Sequence, residues 1–354
     1  MNNKKKLKIL FICQISKPIN GAQKISNFLL KNLKEKYDYK IDYLDSNLVS
    51  ENNQAGNFSL KKIIMFSLQL FNLIKKSNNY DVFYIVPGNS FFGILRFYLI
   101  IKFLNILKKK IIIHHHGYAI IDFLKKNNEF KKTFLKKQNI NLLLTNDMKK
   151  KILKIKKNAN LIVLKNFSFL ESFNSTKLNK KITCLYLSSL MEEKGFVNFI
   201  KASKYFKNCN FIICGAGNVK SLNLINRYNK FNNLFYYGEV KGIEKKKIYR
   251  KSDIYILQTH YKTEGVPLSL LDAMASSCAI ITTSHNGIPE TLGKSAIYVK
   301  KKSLESLVSS IKKLVKKPEL ISKYKSCSFR EYKKNNYNKE DYLKIINDVF
   351  SNRI

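Results

Sequence analysis

Glu264 and Asp272, two carboxylates eight residues apart, frame the stretch Thr263-Glu264-Gly265-Val266-Pro267-Leu268-Ser269-Leu270-Leu271-Asp272-Ala273-Met274-Ala275. Pro267 suits the first turn of a helix, where its missing N–H costs nothing, so a loop-to-helix junction is predicted there. Leu268, Leu271 and Ala275 recur at helical spacing and would seat that helix on a core. A helix start offers unpaired N–H groups and the positive end of the helix dipole, which is where a diphosphate would sit. The flanking carboxylates can accept hydrogen bonds from hydroxyls. Phosphates held by backbone and hydroxyls held by carboxylates are what a sugar nucleotide requires. The plainer reading of the same residues is an ordinary capped, buried helix.

This segment resembles the E-x7-E signature of retaining glycosyltransferases of family 4, usually written E-G-x-P-x-x-L-x-E-A-M-A, with Asp272 standing where that family has glutamate. The resemblance implies that Glu264 contacts the donor sugar or its phosphate and that Asp272 faces ribose hydroxyls. Gly265, Val266, Pro267 and Leu268 would bring the helix start to the donor. One methylene shorter than glutamate, Asp272 reaches ribose only from a closer helix or through a water. The run from Leu187 to Gly195 is similar to the family's G-R-L-x-x-E-K-G. Lys194 matches the lysine that grips the donor diphosphate, where a compact ammonium neutralises the leaving group. Ser189 occupies the arginine position, so one of two expected cations is missing from the donor site. Cys214-Gly215-Ala216-Gly217 resembles a G-x-G loop beside the nucleotide, Gly215 and Gly217 permitting close approach; a plain tight turn accounts for it too. Tyr237-Gly238-Glu239-Val240 matches the segment that meets the nucleobase, through Glu239 and Val240. Gly287-Ile288-Pro289-Glu290 reads as a structural turn.

In the first half, Pro18-Ile19-Asn20-Gly21-Ala22-Gln23 resembles the glycine loop after a first strand, with Gly21 approaching the donor phosphate. Asn89 and Ser90 follow another strand and are expected on the acceptor side. His114-His115-His116-Gly117 is sharper, because imidazoles at a strand end are costly to bury unless paired. Three histidines invite a metal reading. Successive strand side chains point to opposite faces, so only His114 and His116 could share one. No carboxylate or thiolate cluster completes a site, and D-x-D is absent, so no metal is expected. The resemblance, to the family's T-x-H-G, places His116 near the donor sugar as a catalytic residue with Glu264 and Lys194, and His114 on the acceptor side. Asn166 matches an asparagine near the family's domain boundary.

These residues need two scaffolds to hold them. A chain of 354 residues can bury two cores. Apolar runs alternate with helical patterns, as in doubly wound α/β domains. Strands are predicted at 7–13, 80–86, 110–115, 140–145 and 161–164, then at 182–187, 210–214, 234–237, 254–257, 279–282 and 296–299. Helices are predicted at 25–33, 60–75 and 91–107. The last two are apolar and lysine-flanked, fitting either a core-facing or an interfacial, lipid-touching helix. The expected organisation is an N-terminal acceptor-binding domain, 1–170, a polar linker, 171–180, and a nucleotide-sugar domain, 181–331. A tail, 332–354, would cross back as it does in the resembling family. The resemblance implies the GT-B fold, two Rossmann-like domains facing a central cleft.

With 65 Lys and Arg against 24 Asp and Glu, the net charge is +41. Such charge draws a protein to an anionic membrane surface. The competing reading is a Lys/Asn/Ile-rich composition in which lysine merely solvates surfaces. Nucleic acid is not expected as a partner, since no recognisable binding motif is present. Six scattered cysteines without C-x-x-C spacing suggest neither disulfides nor zinc and fit a reducing cytoplasm. The apolar run after Lys4–Lys6 is too short for a signal peptide, and Arg96 and Lys102 interrupt the longest apolar stretch. The sequence is therefore read as a cytoplasmic, membrane-associated glycosyltransferase. It would move a sugar from a nucleotide-diphosphate donor, a UDP-sugar first, to a saccharide or lipid-linked acceptor in cell-surface polysaccharide synthesis, without a cofactor. The alternative is a non-catalytic sugar-nucleotide or lipid-head-group binder on the same scaffold, supported by the departures at Ser189 and Asp272.

Overall fold

Parallel strands buried on both faces read as continuous apolar runs, and LKILFIC, KIIIHH, IYIL and AIIT are such runs. The computed structural model describes residues 6–16, 20–47, 60–228, 232–335 and 338–353. It divides into two units, one of Met1–Lys165 with Tyr337–Ile354, the other of Asn166–Asn336.

The first unit begins with β1 (Leu7–Cys13), α1 (Gly21–Lys36), β2 (Tyr39–Asp45), α2 (Leu60–Lys76), β3 (Val82–Ile85), α3 (Phe91–Ile106) and β4 (Lys110–His115). It continues with α4 (Ala119–Lys126), α5 (Asn128–Phe134), β5 (Ile140–Leu143), α6 (Asn146–Leu153) and β6 (Leu161–Val163). The strands form one parallel sheet in the order β2-β1-β3-β4-β5-β6. Helix α1 starts at Gly21, four residues before the predicted start, because Asn20 and Gln23 form a reciprocal capping box. Pro18 and Ile19 of the predicted loop lie outside the described residues.

The second unit holds β7 (Thr183–Leu187), α7 (Phe196–Ala202), β8 (Asn210–Cys214), α8 (Val219–Tyr228), β9 (Leu234–Tyr236) and α9 (Gly242–Arg250). After these come β10 (Ile254–Leu257), α10 (Leu268–Ala275), β11 (Ala279–Thr282), α11 (Ile288–Leu292), β12 (Ala296–Tyr298), α12 (Leu304–Lys316) and α13 (Pro318–Asn335). Its parallel sheet runs β9-β8-β7-β10-β11-β12, the doubly wound order whose switch point lies between β7 and β10. Buried Asp253, just before β10, accepts from Thr183 N–H (2.9 Å) and Asn179 Nδ2 (2.8 Å) and pairs with Lys325 of α13 (3.4 Å). The stretch predicted as a linker, 171–180, is thereby bound to this unit, with Phe173 N–H also donating to Ala275 O.

The chain returns to the first unit in α14 (Lys339–Phe350), so the predicted single tail is two helices with the unit boundary between them. Phe350 packs edge-on against Phe11, Tyr39 and Tyr84. Lys110 of β4 donates to the carbonyls of Val349 (2.7 Å) and Phe350 (2.9 Å), satisfying the end of α14.

The loops after β7 and β8 touch at backbone level. Gly215 sits at φ +145°, and a Cβ there would overlap the Ser188 carbonyl oxygen. Gly215→Ala is expected to destabilise the second unit by about 2–4 kcal/mol. Urea unfolding checks this; a wild-type midpoint would show that the two loops can separate freely.

Candidate functional site

In an open α/β sheet the ligand site lies beyond the carboxyl ends of the strands at the switch point. The second unit brings four loops there. Leu190 N–H donates to Ala216 O (2.8 Å), Gly215 N–H to Gly238 O (2.7 Å) and His260 N–H to Glu193 O (2.7 Å). Lys194 ends a short 3-10 turn closed by Gly195, whose φ of +86° lets the turn lie on β10; a Cβ there would stand 2.6 Å from Gln258 O.

Lys194 Nζ forms an ion pair with Glu264 Oε2, both side chains largely buried, and lies 5.0 Å from the centre of the Tyr261 ring. Thr259 Oγ1 stands 3.2 Å from the same carboxylate oxygen and 3.3 Å from Glu193 O. Asn286 Nδ2 donates to Glu264 O (2.9 Å) and fixes the backbone of the loop. Among the described residues Glu264 Oε1 receives no hydrogen bond, and an ammonium carries three donors, of which this pair uses one. Gly265, Val266 and Pro267 are buried beside it. Helix α10 starts at Leu268 with Pro267 as its extended N-cap, one residue later than a proline in the first turn. The Leu268 and Ser269 N–H groups precede the first helical bonds to Pro267 O.

The second carboxylate is placed differently. Asp272 is 1% exposed, Oδ1 accepts from Ser168 Oγ (2.6 Å), and Oδ2 pairs with Lys245 Nζ from α9. Both oxygens are thus engaged within the protein. Ser189 is exposed, its carbonyl accepting from Tyr186 OH (2.8 Å). Gly217 is exposed, Val240 is buried, and Glu239 forms a surface pair with Lys241 (3.3 Å). Asn166 Nδ2 reaches Val266 O (3.4 Å) while its Oδ1, buried, has no partner among the described residues. Lys245, Thr259 and Ser168 were not anticipated. Lys245 had a signal: with Ile248 and Tyr249 it occupies the buried stripe of α9.

In the first unit Gly21 opens α1, Ser90 Oγ caps α3 through Gly93 N–H (3.1 Å), and Asn89 is exposed. His114 of β4 and His116, just past its end, lie on one side with ring centres 4.0 Å apart, and His115 faces the other, donating from Nε2 to Asn141 Oδ1 (2.9 Å). Tyr84 OH meets His114 Nδ1 at 2.5 Å, and burial holds that phenol protonated, so it donates. The Nε2 atoms of His114 and His116 are buried without partners among the described residues. No group of three or more His, Cys, Asp or Glu among the described residues could hold a metal ion.

Residues 167–334 match the family described as Glycosyl transferases group 1. An uncharacterized glycosyltransferase of Methanocaldococcus jannaschii is 28% identical over 320 residues, 81% of this chain and 78% of that protein. Sucrose-phosphate synthase from Thermosynechococcus elongatus superposes with a TM-score of 0.73 at 11% identity, over 98% of this chain and 99% of its own. Anabaena HepE, solved with UDP and glucose, does so at 0.68 and 12%, over 98% and 100%. The fold is GT-B, and the residues that match the group 1 family model all lie in the second unit. The chain is a glycosyltransferase.

Asp272→Asn leaves the Lys245 ammonium buried without its counter-charge and is expected to cost about 3–5 kcal/mol. Adding Lys245→Met should recover most of that in urea unfolding; no recovery would show that packing, not charge, dominates. The histidines give a pH test. Burial lowers all three; His115 falls to about 4 and, with His115 adding repulsion, His116 to about 3, against an ordinary 6.5. Below 6.5 the unfolded chain binds protons that the folded unit refuses, so stability is complete above that pH and is lost as pH falls towards 4 and 3. Unfolding of the first unit at stepped pH should show this slope, shallower in His115→Gln.

Proposed function

We propose that the chain is a retaining glycosyltransferase of family 4 that moves a sugar from a UDP-sugar to a lipid-linked saccharide at the inner face of the cell membrane, in assembly of a cell-surface polysaccharide. The observation that carries the reading is the Lys194–Glu264 pair at the head of α10, with Glu264 Oε1 and two ammonium protons left to use. The carboxylate oxygen suits a sugar hydroxyl and the cation suits the diphosphate, to which the α10 N–H groups add their dipole. HepE, solved with UDP and glucose, motivates uridine as the base. Net charge +41 motivates the anionic surface.

In the proposed step the bond from the anomeric carbon to the diphosphate oxygen breaks and its electron pair stays on the diphosphate. Lys194 and the helix start stabilise that charge as it develops. The acceptor hydroxyl forms the new bond on the face the diphosphate leaves, and its proton passes to a diphosphate oxygen. Configuration is retained and UDP is released. Positive charge from Lys194 and α10 serves the leaving group without a cofactor. His116, neutral in its buried setting, would accept or donate to sugar hydroxyls rather than act as a cation. Asp272, held by Lys245 and Ser168, would shape the ribose wall from within the protein.

Glu264→Gln keeps the size of the side chain while weakening the hold on both Lys194 and a sugar hydroxyl. Transfer from UDP-sugars is expected to fall about 10²–10³-fold with folding intact. Stabilisation of the wild-type protein by one UDP-sugar, lost in Lys194→Ala, would place the donor. An unchanged rate in Glu264→Gln would sink the assignment.

A further inference from the structure

Helix α2 shows water a face that belongs in a core. Ile63, Ile74, Leu60, Phe71, Ile64 and Leu68 fall on one continuous arc of the helix, interrupted only by Ser67 and Lys75. Leu60, Ile64, Leu68 and Phe71 are 74%, 61%, 60% and 54% exposed. The opposite side holds the helix to its unit: Leu73 is buried, and Gln69 Nε2 donates to Asp45 O (2.9 Å). The connections β2 to β3 and β3 to β4 cross the sheet in the same direction, so right-handed crossovers put α2 and α3 on one face. Phe91 and Phe92, at the head of α3, are exposed as well. Solvated monomers rarely show a helix face as apolar as that of α2.

We infer that α2, with the head of α3, lies in the headgroup layer of an anionic bilayer. Charge selects this occupant. Neither helix carries an acidic residue, Lys75, Lys76 and Lys102 are exposed on them, and the chain as a whole is +41. A second copy of the chain would bring like charges together, whereas anionic headgroups neutralise them. At 17 residues and about 1.5 Å per residue, α2 is a helix that lies in the interface. Among the described residues no helix is long and apolar enough to cross a membrane. Gln69, midway along α2, holds the last carbonyl of β2, and α3 begins directly after Asn89 and Ser90, so both helices border the end of the sheet where His116 also stands. This rests on the membrane-facing reading above and names the element that performs it.

The chain has no tryptophan, so Phe71→Trp installs a single reporter. With vesicles of phosphatidylglycerol and phosphatidylcholine its emission should shift to the blue and be quenched by brominated acyl chains, with neither effect on phosphatidylcholine alone. The pair Ile64→Glu with Leu68→Glu should lower vesicle co-sedimentation about tenfold or more while leaving stabilisation by UDP-sugar unchanged. Unmoved emission on vesicles that do sediment the protein would overturn the inference, as would absence of sedimentation. A blue shift without vesicles that grows with protein concentration would make a second copy the occupant. If no UDP-sugar stabilises the wild-type protein, the proposed donor fails instead, whatever the vesicles show.

Discussion

A lysine ammonium and a glutamate carboxylate, withdrawn from water together at the mouth of a helix, organise the second unit. Burying two charges is tolerated only where geometry and further hydrogen bonds compensate their lost hydration. The compensation here is local and built from three loops. Gly195 lets the turn bearing Lys194 press on the end of β10, Thr259 bridges that turn and the carboxylate, and Asn286 holds the loop between them. The charges are already placed by the fold, so in the proposed transfer little reorganisation would remain for the moment of bond cleavage.

The helix that starts after Glu264 carries a second buried pair, at Asp272, and the contrast is instructive. Asp272 spends both oxygens on Ser168 and Lys245, while Glu264 keeps one in reserve. A closed pair positions backbone and sets the shape of a wall; a pair with spare capacity can exchange partners with a ligand. Two carboxylates that look equivalent by spacing therefore have different physical standing.

Much of this was legible in the sequence, because fully buried parallel strands are short apolar runs that few other structures require. β1, β4, β8, β10 and β11 fall where the runs predicted them. β2 did not announce itself: YKIDYLD mixes charges into a strand at the sheet edge, where one side needs no partner. Lys194 was recognisable from its place after a strand and before a glycine, and Glu264 from the helix start. Lys245 stood among neighbouring lysines, set apart only by its place on the stripe of Ile248 and Tyr249. That Asp272 meets Lys245 and Ser168 is long-range information, contributed by residues 27 and 104 positions away.

The chain passes into the second unit after Lys165 and comes back to the first at Tyr337, so one unit is inserted within the other. Emerging from a ribosome, the inserted unit has all its strands in hand before the first unit receives α14. Until then Phe11 and Tyr84 lack the ring of Phe350, and Lys110 has no carbonyls of α14 to hold. The histidine-bearing sheet is therefore the later of the two to reach its final packing during synthesis, and the core of the inserted unit can be complete while that sheet is still open.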